Sequence, residues 1–256
     1  MIKKILNKIN SKLFKFNPNF KKEKKLVKIG TIYGGYDVYC KNLINPIILS
    51  CGLGEDASFD IDMINMFNAK VIIIDPTPRS KIYFNKLKNR FGKVKEINYD
   101  ESGCLNPNAY ELTKTNDNNC IFLENAIWSE SDIEIDLYYP KIESHVSLSI
   151  NKKNNYSKES PLKAKTINYS SILNMFKLDK VDILKLDIEG SEIETLKSVL
   201  NNKILPHQIL VEFDLRRRPS ITTNRLLNKI HKQICKNYNL ININKKGDFT
   251  YLIKSK

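Results

Sequence analysis

The chain has 256 residues, enough for one α/β domain with a sizeable core and short for two. Its net charge of +14 is uneven: residues 1–25 carry nine lysines against one glutamate, which leaves 26–256 only mildly basic. Five scattered cysteines with no C-x-x-C pair argue against a disulfide framework or zinc site and fit a reducing, cytoplasmic compartment, and no apolar run approaches the roughly 18 residues of a membrane span.

In chain order, Ile2, Ile5, Leu6, Ile9, Leu13 and Phe16 recur at helical spacing among lysines, which predicts a basic amphipathic helix. Two roles are open to it: packing on the body, or peripheral contact with an anionic membrane. Residues 16–25 read as a linker and 26–256 as a single domain. Residues 26–32 and 36–40 alternate like strands around Tyr33-Gly34-Gly35, predicting a hairpin. Strands and helices then alternate: strand 47–50, helix 57–67, strand 71–75, helix 79–91, one strand over 120–128, strand 181–187, helix 190–200, strand 208–214 and helix 222–237. The strands are continuous β-branched runs, the pattern of strands covered on both faces. Alternation of this kind predicts an α/β fold with a mostly parallel central sheet. Residues 240–244 and 249–254 flank a KKGD turn and predict a C-terminal hairpin with one antiparallel strand. Two stretches break the rhythm. Residues 98–119 read as an exposed inserted loop, and 129–168 as an insertion holding a β pair. Long connections of the second kind often carry substrate contacts.

The most informative segment is IILSCGLGED at 47–56, an apolar strand running into a glycine turn and then two acids. A strand, a G-x-G turn and a helix cradle a nucleotide-bearing cofactor. A dinucleotide would set its pyrophosphate on that turn, where Glu55 and Asp56 oppose it with like charge. S-adenosylmethionine has no phosphate and carries an amino group and a sulfonium, so these acids suit it. Asp75 ends the next strand in IDPTP and is placed for ribose hydroxyls. It follows Gly52 by 23 residues, close to the roughly 20 usual in such units. LKLDIEGSEIETL at 184–196 is the second strong signal. Asp187 ends a buried strand where ligand crevices open, and Gly190 permits a tight turn into the next helix. Glu189, Ser191 and Glu192 lie around a helix start, where they read equally as caps.

SCGLGED, IDPTP, ENAIW and above all LKLDIEGSE resemble the successive motifs of the FkbM-type family of S-adenosylmethionine-dependent methyltransferases. The resemblance covers about residues 45–215. It implies a Rossmann-like class I methyltransferase fold, and methyl transfer to a hydroxyl of a sugar, glycan or other small acceptor. By the same resemblance Gly52, Gly54, Asp75, Asn125 and Ala126 bind the cofactor; Glu55, beside the turn, and Pro76, after Asp75, join them as candidates. Asp187 is the matching active-site acid. Where many members carry Asn-x-Gly after the turn, this chain has Glu55-Asp56-Ala57, as in a subgroup with a GEDxSFD-like turn. YYPKIESHVSLS at 138–149 also resembles that subgroup, and His145, Ser147 and Ser149 are candidates to face the acceptor.

A hydroxyl acceptor needs a base, for which Asp187 and His145 are the two candidates. Asp187, Glu189, Glu212 and Asp214 all sit at strand ends, but without matching histidines a metal is not expected. The rival enzyme class is a Rossmann-type NAD-dependent oxidoreductase, with Tyr110 and Lys114 at the spacing of its general acid pair. The acids after the turn oppose it. No base-handling or aromatic stacking motif supports a specific nucleic-acid partner. A non-catalytic cofactor-binding domain is the remaining alternative, and the choice between O- and N-methylation stays open.

Overall fold

A computed structural model describes residues 16–255 except 24, 102, 104, 141–147 and 151–159. The amphipathic pattern before Phe16, His145 and Ser147 therefore lie outside the described residues. The chain opens with an antiparallel hairpin of β1 (Leu26–Ile29) and β2 (Tyr36–Tyr39). The central sheet is built from β3 (Ile47–Cys51), β4 (Lys70–Ile74), β5 (Cys120–Leu123), β9 (Ile183–Leu186), β10 (Gln208–Val211), β11 (Tyr238–Ile243) and β12 (Phe249–Ile253). Its spatial order is β11-β12-β10-β9-β3-β4-β5. β5, β4, β3, β9 and β10 run parallel, and β12 is antiparallel to both β10 and β11.

Neighbouring residues of the central strands feed two cores. Leu49, Ile72, Leu184 and Ile209 pack on one face, while Ile48, Val71, Ile183 and Leu210 pack on the other. This explains why these strands read as unbroken apolar runs. The covering helices are α1 (Ser58–Phe67), α2 (Pro78–Lys88), α4 (Glu192–Leu200) and α5 (Ile221–Asn237). Sequence sets several of their ends. Thr77 caps α2 with Pro78 in its first turn, and Ser220 and Thr223 form a reciprocal capping box on α5. No helix among the described residues is long and apolar enough to cross a membrane.

Four features differ from the sequence reading. The strand expected over 120–128 is two: β5 stays in the central sheet, and β6 (Ala126–Trp128) leaves it at Glu124-Asn125. β6 joins a side sheet with β8 (Leu162–Asn168), which also pairs with β7 (Glu134–Leu137). An unpredicted helix, α3 (Tyr169–Phe176), starts where the Asn168 side chain accepts from Ser171 N at 2.8 Å. Residues 98–119 are not simply exposed: Leu105, Ala109, Tyr110, Leu112 and Thr115 are buried. Tyr110 fixes the segment, its hydroxyl accepting from Ala57 N at 2.8 Å and lying 2.7 Å from the Tyr83 hydroxyl. Finally, Phe16 does not open a linker. It is buried against Phe249 and His231, with ring centroids 5.6 Å away in each case.

Candidate active site at the carboxyl ends of the strands

β3 lies between β4 and β9, so the chain leaves it to one side first and returns to the other later. In open α/β sheets the ligand crevice forms at such a switch, beyond the carboxyl ends of the strands. A cavity of about 390 Å³ opens there. Its floor is the turn after β3 and the end of β9, and its walls come from the β1–β2 turn, the start of α2, the side sheet and the end of β10.

The two strand ends meet at Gly52. Its φ is +88, and an added Cβ would lie 1.9 Å from the carbonyl oxygen of Asp187. Lys185 Nζ donates to the Gly52 carbonyl at 2.7 Å. This lysine is only 4 % exposed and lies near the rings of Tyr36 and Phe59. The turn is thus clamped from below by the strand that carries Asp187.

Asp75 clamps the same turn from the β4 side. Its Oδ2 accepts from Leu53 N at 2.9 Å, Gly54 N at 3.2 Å and Ser80 Oγ at 2.8 Å. Its Oδ1 accepts from Thr77 N at 2.8 Å and Thr77 Oγ1 at 2.6 Å. Five donors fill a carboxylate that offers about four lone-pair directions. A ribose hydroxyl would have to exchange with Ser80 or Thr77 to reach it. Of the two acids after the turn, Asp56 takes Ser58 N at 2.8 Å and Thr31 Oγ1 at 2.7 Å, so it starts α1 and pins the β1–β2 turn. Glu55 pairs with Arg79 at 2.8 Å.

Gly52, Gly54, Glu55, Asp75, Pro76, Ala126 and Asp187 all line the cavity. Asn125 does not; its side-chain amide donates to the Lys165 carbonyl at 3.3 Å. Ser149 is turned away too, its hydroxyl donating to the Glu189 carbonyl at 2.7 Å, whereas Leu148 lines the wall.

The far side of the cavity is a charged pair of strand ends. Glu212 follows β10 beside Asp187, with its N–H donating to the Leu186 carbonyl at 3.0 Å. Arg217, in a 3₁₀ turn over Asp214–Arg217, bridges back to Glu212 and to Glu189, the latter at 3.1 Å. The Glu212 carboxyl is pushed up to about 7, first by burial and then by the neighbouring charge of Asp187, with Arg217 pulling it down. The Glu189 carboxyl is raised for the same first reason, and Glu189 itself holds a left-handed φ of 41 before Gly190 at φ 110. Tyr36 is buried beneath. Burial, then the charges of Asp187, Asp248 and Glu212, hold that phenol well above its ordinary value. Arg217 bridges two of the acids that a cation would need, and no group of three or more His, Cys, Asp or Glu suited to a metal ion occurs among the described residues.

Sequence reading passed over Lys185, Tyr36 and Arg217. Lys185 had a signal, since it is the one charged residue inside the apolar run ILKL of β9. Arg217 had none, because its partners are brought to it by the fold.

The family model for the methyltransferase FkbM domain matches residues 16–233. The chain belongs to the FkbM methyltransferase family. The FkbM match begins at Phe16, the residue that anchors the described N-terminal segment in the core. No curated protein and no solved structure matches the chain.

Proposed function

We propose that the protein is an S-adenosylmethionine-dependent methyltransferase of Rossmann-like class I fold that methylates a hydroxyl of a sugar, glycan or other small acceptor. The observation that carries the cofactor is the filling of the glycine turn. The Leu53 and Gly54 amides are bonded to Asp75, and Glu55 and Asp56 follow at once. With those two amides engaged and two acids beside them, the turn is ill suited to a pyrophosphate and suits a cofactor with cationic groups. The rival hydride-transfer reading loses its acid pair as well. Tyr110 is fully buried, Lys114 donates to the Asn65 carbonyl at 2.9 Å, and neither lines the cavity.

When bound, the cofactor supplies an activated methyl group on a sulfonium. Gly52 and Gly54 leave room for it, Asp75 would hold its ribose by giving up a hydroxyl donor, and Pro76 and Ala126 would flank its base. The acceptor hydroxyl enters beside Asp187. An alcohol is a weak nucleophile at neutral pH, so its proton must leave as the new bond forms. Asp187 takes that proton or orients the hydroxyl, and Glu212 stands beside it with a value near neutrality, suited to sharing the proton. Arg217 fixes the Glu212 carboxylate in place.

Transfer of label from methyl-labelled S-adenosylmethionine to a panel of sugar and glycan hydroxyls tests this reading. Asp187→Asn should leave the fold intact and cut turnover by about 100-fold or more. Unimpaired transfer by that variant would make Asp187 structural and shift the base to His145 or Glu212.

A further inference from the structure

A second cleft of about 370 Å³ adjoins the first and shares Glu212, Arg217 and Lys246 with it. It lies on the side away from the glycine turn, where the chain leaves β10 and where the turn between β11 and β12 crosses. Its basic side chains come from two separate elements: Arg216 and Arg217 from the 3₁₀ turn, Lys245 and Lys246 from the β11–β12 turn. Glu212 is the one acid among the described residues of this lining, and its carboxylate is bridged to Arg217. Asp248 lies 3.8 Å from Lys246 and accepts from Asn244 Nδ2 at 2.7 Å, so one lysine is balanced from behind. Arg216 also feels the charges of Asp248 and Glu212, so Lys245 is the least compensated cation of the lining.

Arg216 is positioned in advance. Its guanidinium lies 4.9 Å from the Phe249 ring centre and donates to the Gly247 carbonyl, while its buried Nε–H has no acceptor among the described residues. A guanidinium already seated in this way loses little freedom on meeting an anion. The N-terminal segment closes the cleft with Asn17 and Phe20, between the buried Phe16 and the bond from Glu23 N to the Ile241 carbonyl at 3.1 Å.

We propose that this second cleft binds the phosphate of a phosphorylated acceptor, whose hydroxyl then reaches through the shared residues toward Asp187. The inference rests on the methyltransferase reading above. Basic groups converging from two elements match a compact group of charge near −2, which a phosphate monoester carries and a single carboxylate does not.

The test is calorimetric titration with inorganic pyrophosphate, with malonate as the carboxylate control, at an ionic strength of about 0.15 M to screen the basic arm. Pyrophosphate should bind, and Arg216→Gln combined with Lys245→Gln should weaken it at least about tenfold, the scale of a lost charge-assisted bond. The affinity for S-adenosylmethionine should stay unchanged in the same variant. Lys245→Gln alone, on an exposed turn, keeps the test open if the double variant fails to fold. Absent pyrophosphate binding, or binding indifferent to these substitutions, overturns the proposal. Equal affinity for malonate overturns the phosphate assignment. Loss of S-adenosylmethionine binding by the unaltered protein would instead strike the methyltransferase reading itself.

Discussion

At the scale of single residues, the site is a set of carboxylates with different duties. Asp75 and Asp56 hold the glycine turn and its neighbours. Asp187 and Glu212 face the cavity. Glu192 does neither: it is 1 % exposed and accepts from Gly190 N at 2.6 Å, which fastens the IEG turn behind Asp187. Burial is the main cause of its elevation from 4.5 to about 8. The fold therefore favours its protonated form. That contribution is complete below the unfolded value of 4.5 and is lost as pH rises through about 8. Glu192→Gln keeps the acceptor for Gly190 and removes the titration. Its thermal midpoint should coincide with that of the native protein near about pH 4 and exceed it near about pH 8.5. Equal midpoints at both pH values would show that the buried carboxyl is not raised.

At the scale of elements, the central sheet was legible and its decorations were not. Residues 71–75 and 181–187 announce themselves because both faces of β4 and β9 are covered, so their positions are mostly apolar, with Lys185 the exception inside β9. The split of 120–128 was hidden because Glu124-Asn125 interrupts the run for only two residues, and only the distant β8 shows where β6 goes. Helix α3 escaped because YSSILNMF is short and serine-rich, although Asn168 offered a cap. Tyr110 and Leu112 sit in an Asn-rich stretch whose composition speaks for exposure; their burial comes from contacts with α1 and α2 made by tertiary structure. The same holds for Phe16, which the sequence places at the start of a linker. Phe16→Ala should cost about 3 kcal/mol, as for a buried aromatic ring. For a domain of this size that lowers the thermal midpoint by roughly 6–12 °C. An unchanged midpoint would mean that the segment rests on the body without stabilising it.

At the scale of the whole molecule, the fold brings two strand ends, Gly52 and Asp187, into contact across the switch point of the sheet. In the proposed reading one side of that junction takes the cofactor and the other the acceptor. The sequence carried the first half well, because the glycine turn and its acids are local. It carried the second half poorly, because Arg217 spans 28 residues to Glu189 and the β11–β12 turn arrives from the end of the chain. In the proposed reading the acid-flanked glycine turn accepts a cofactor without phosphates. Equilibrium binding of S-adenosylhomocysteine and of NADH to the same purified protein tests it most directly. S-adenosylhomocysteine should bind with a defined stoichiometry, and NADH should neither bind nor displace it. Binding of NADH in its place, or displacement of one by the other at comparable concentrations, would contradict the account.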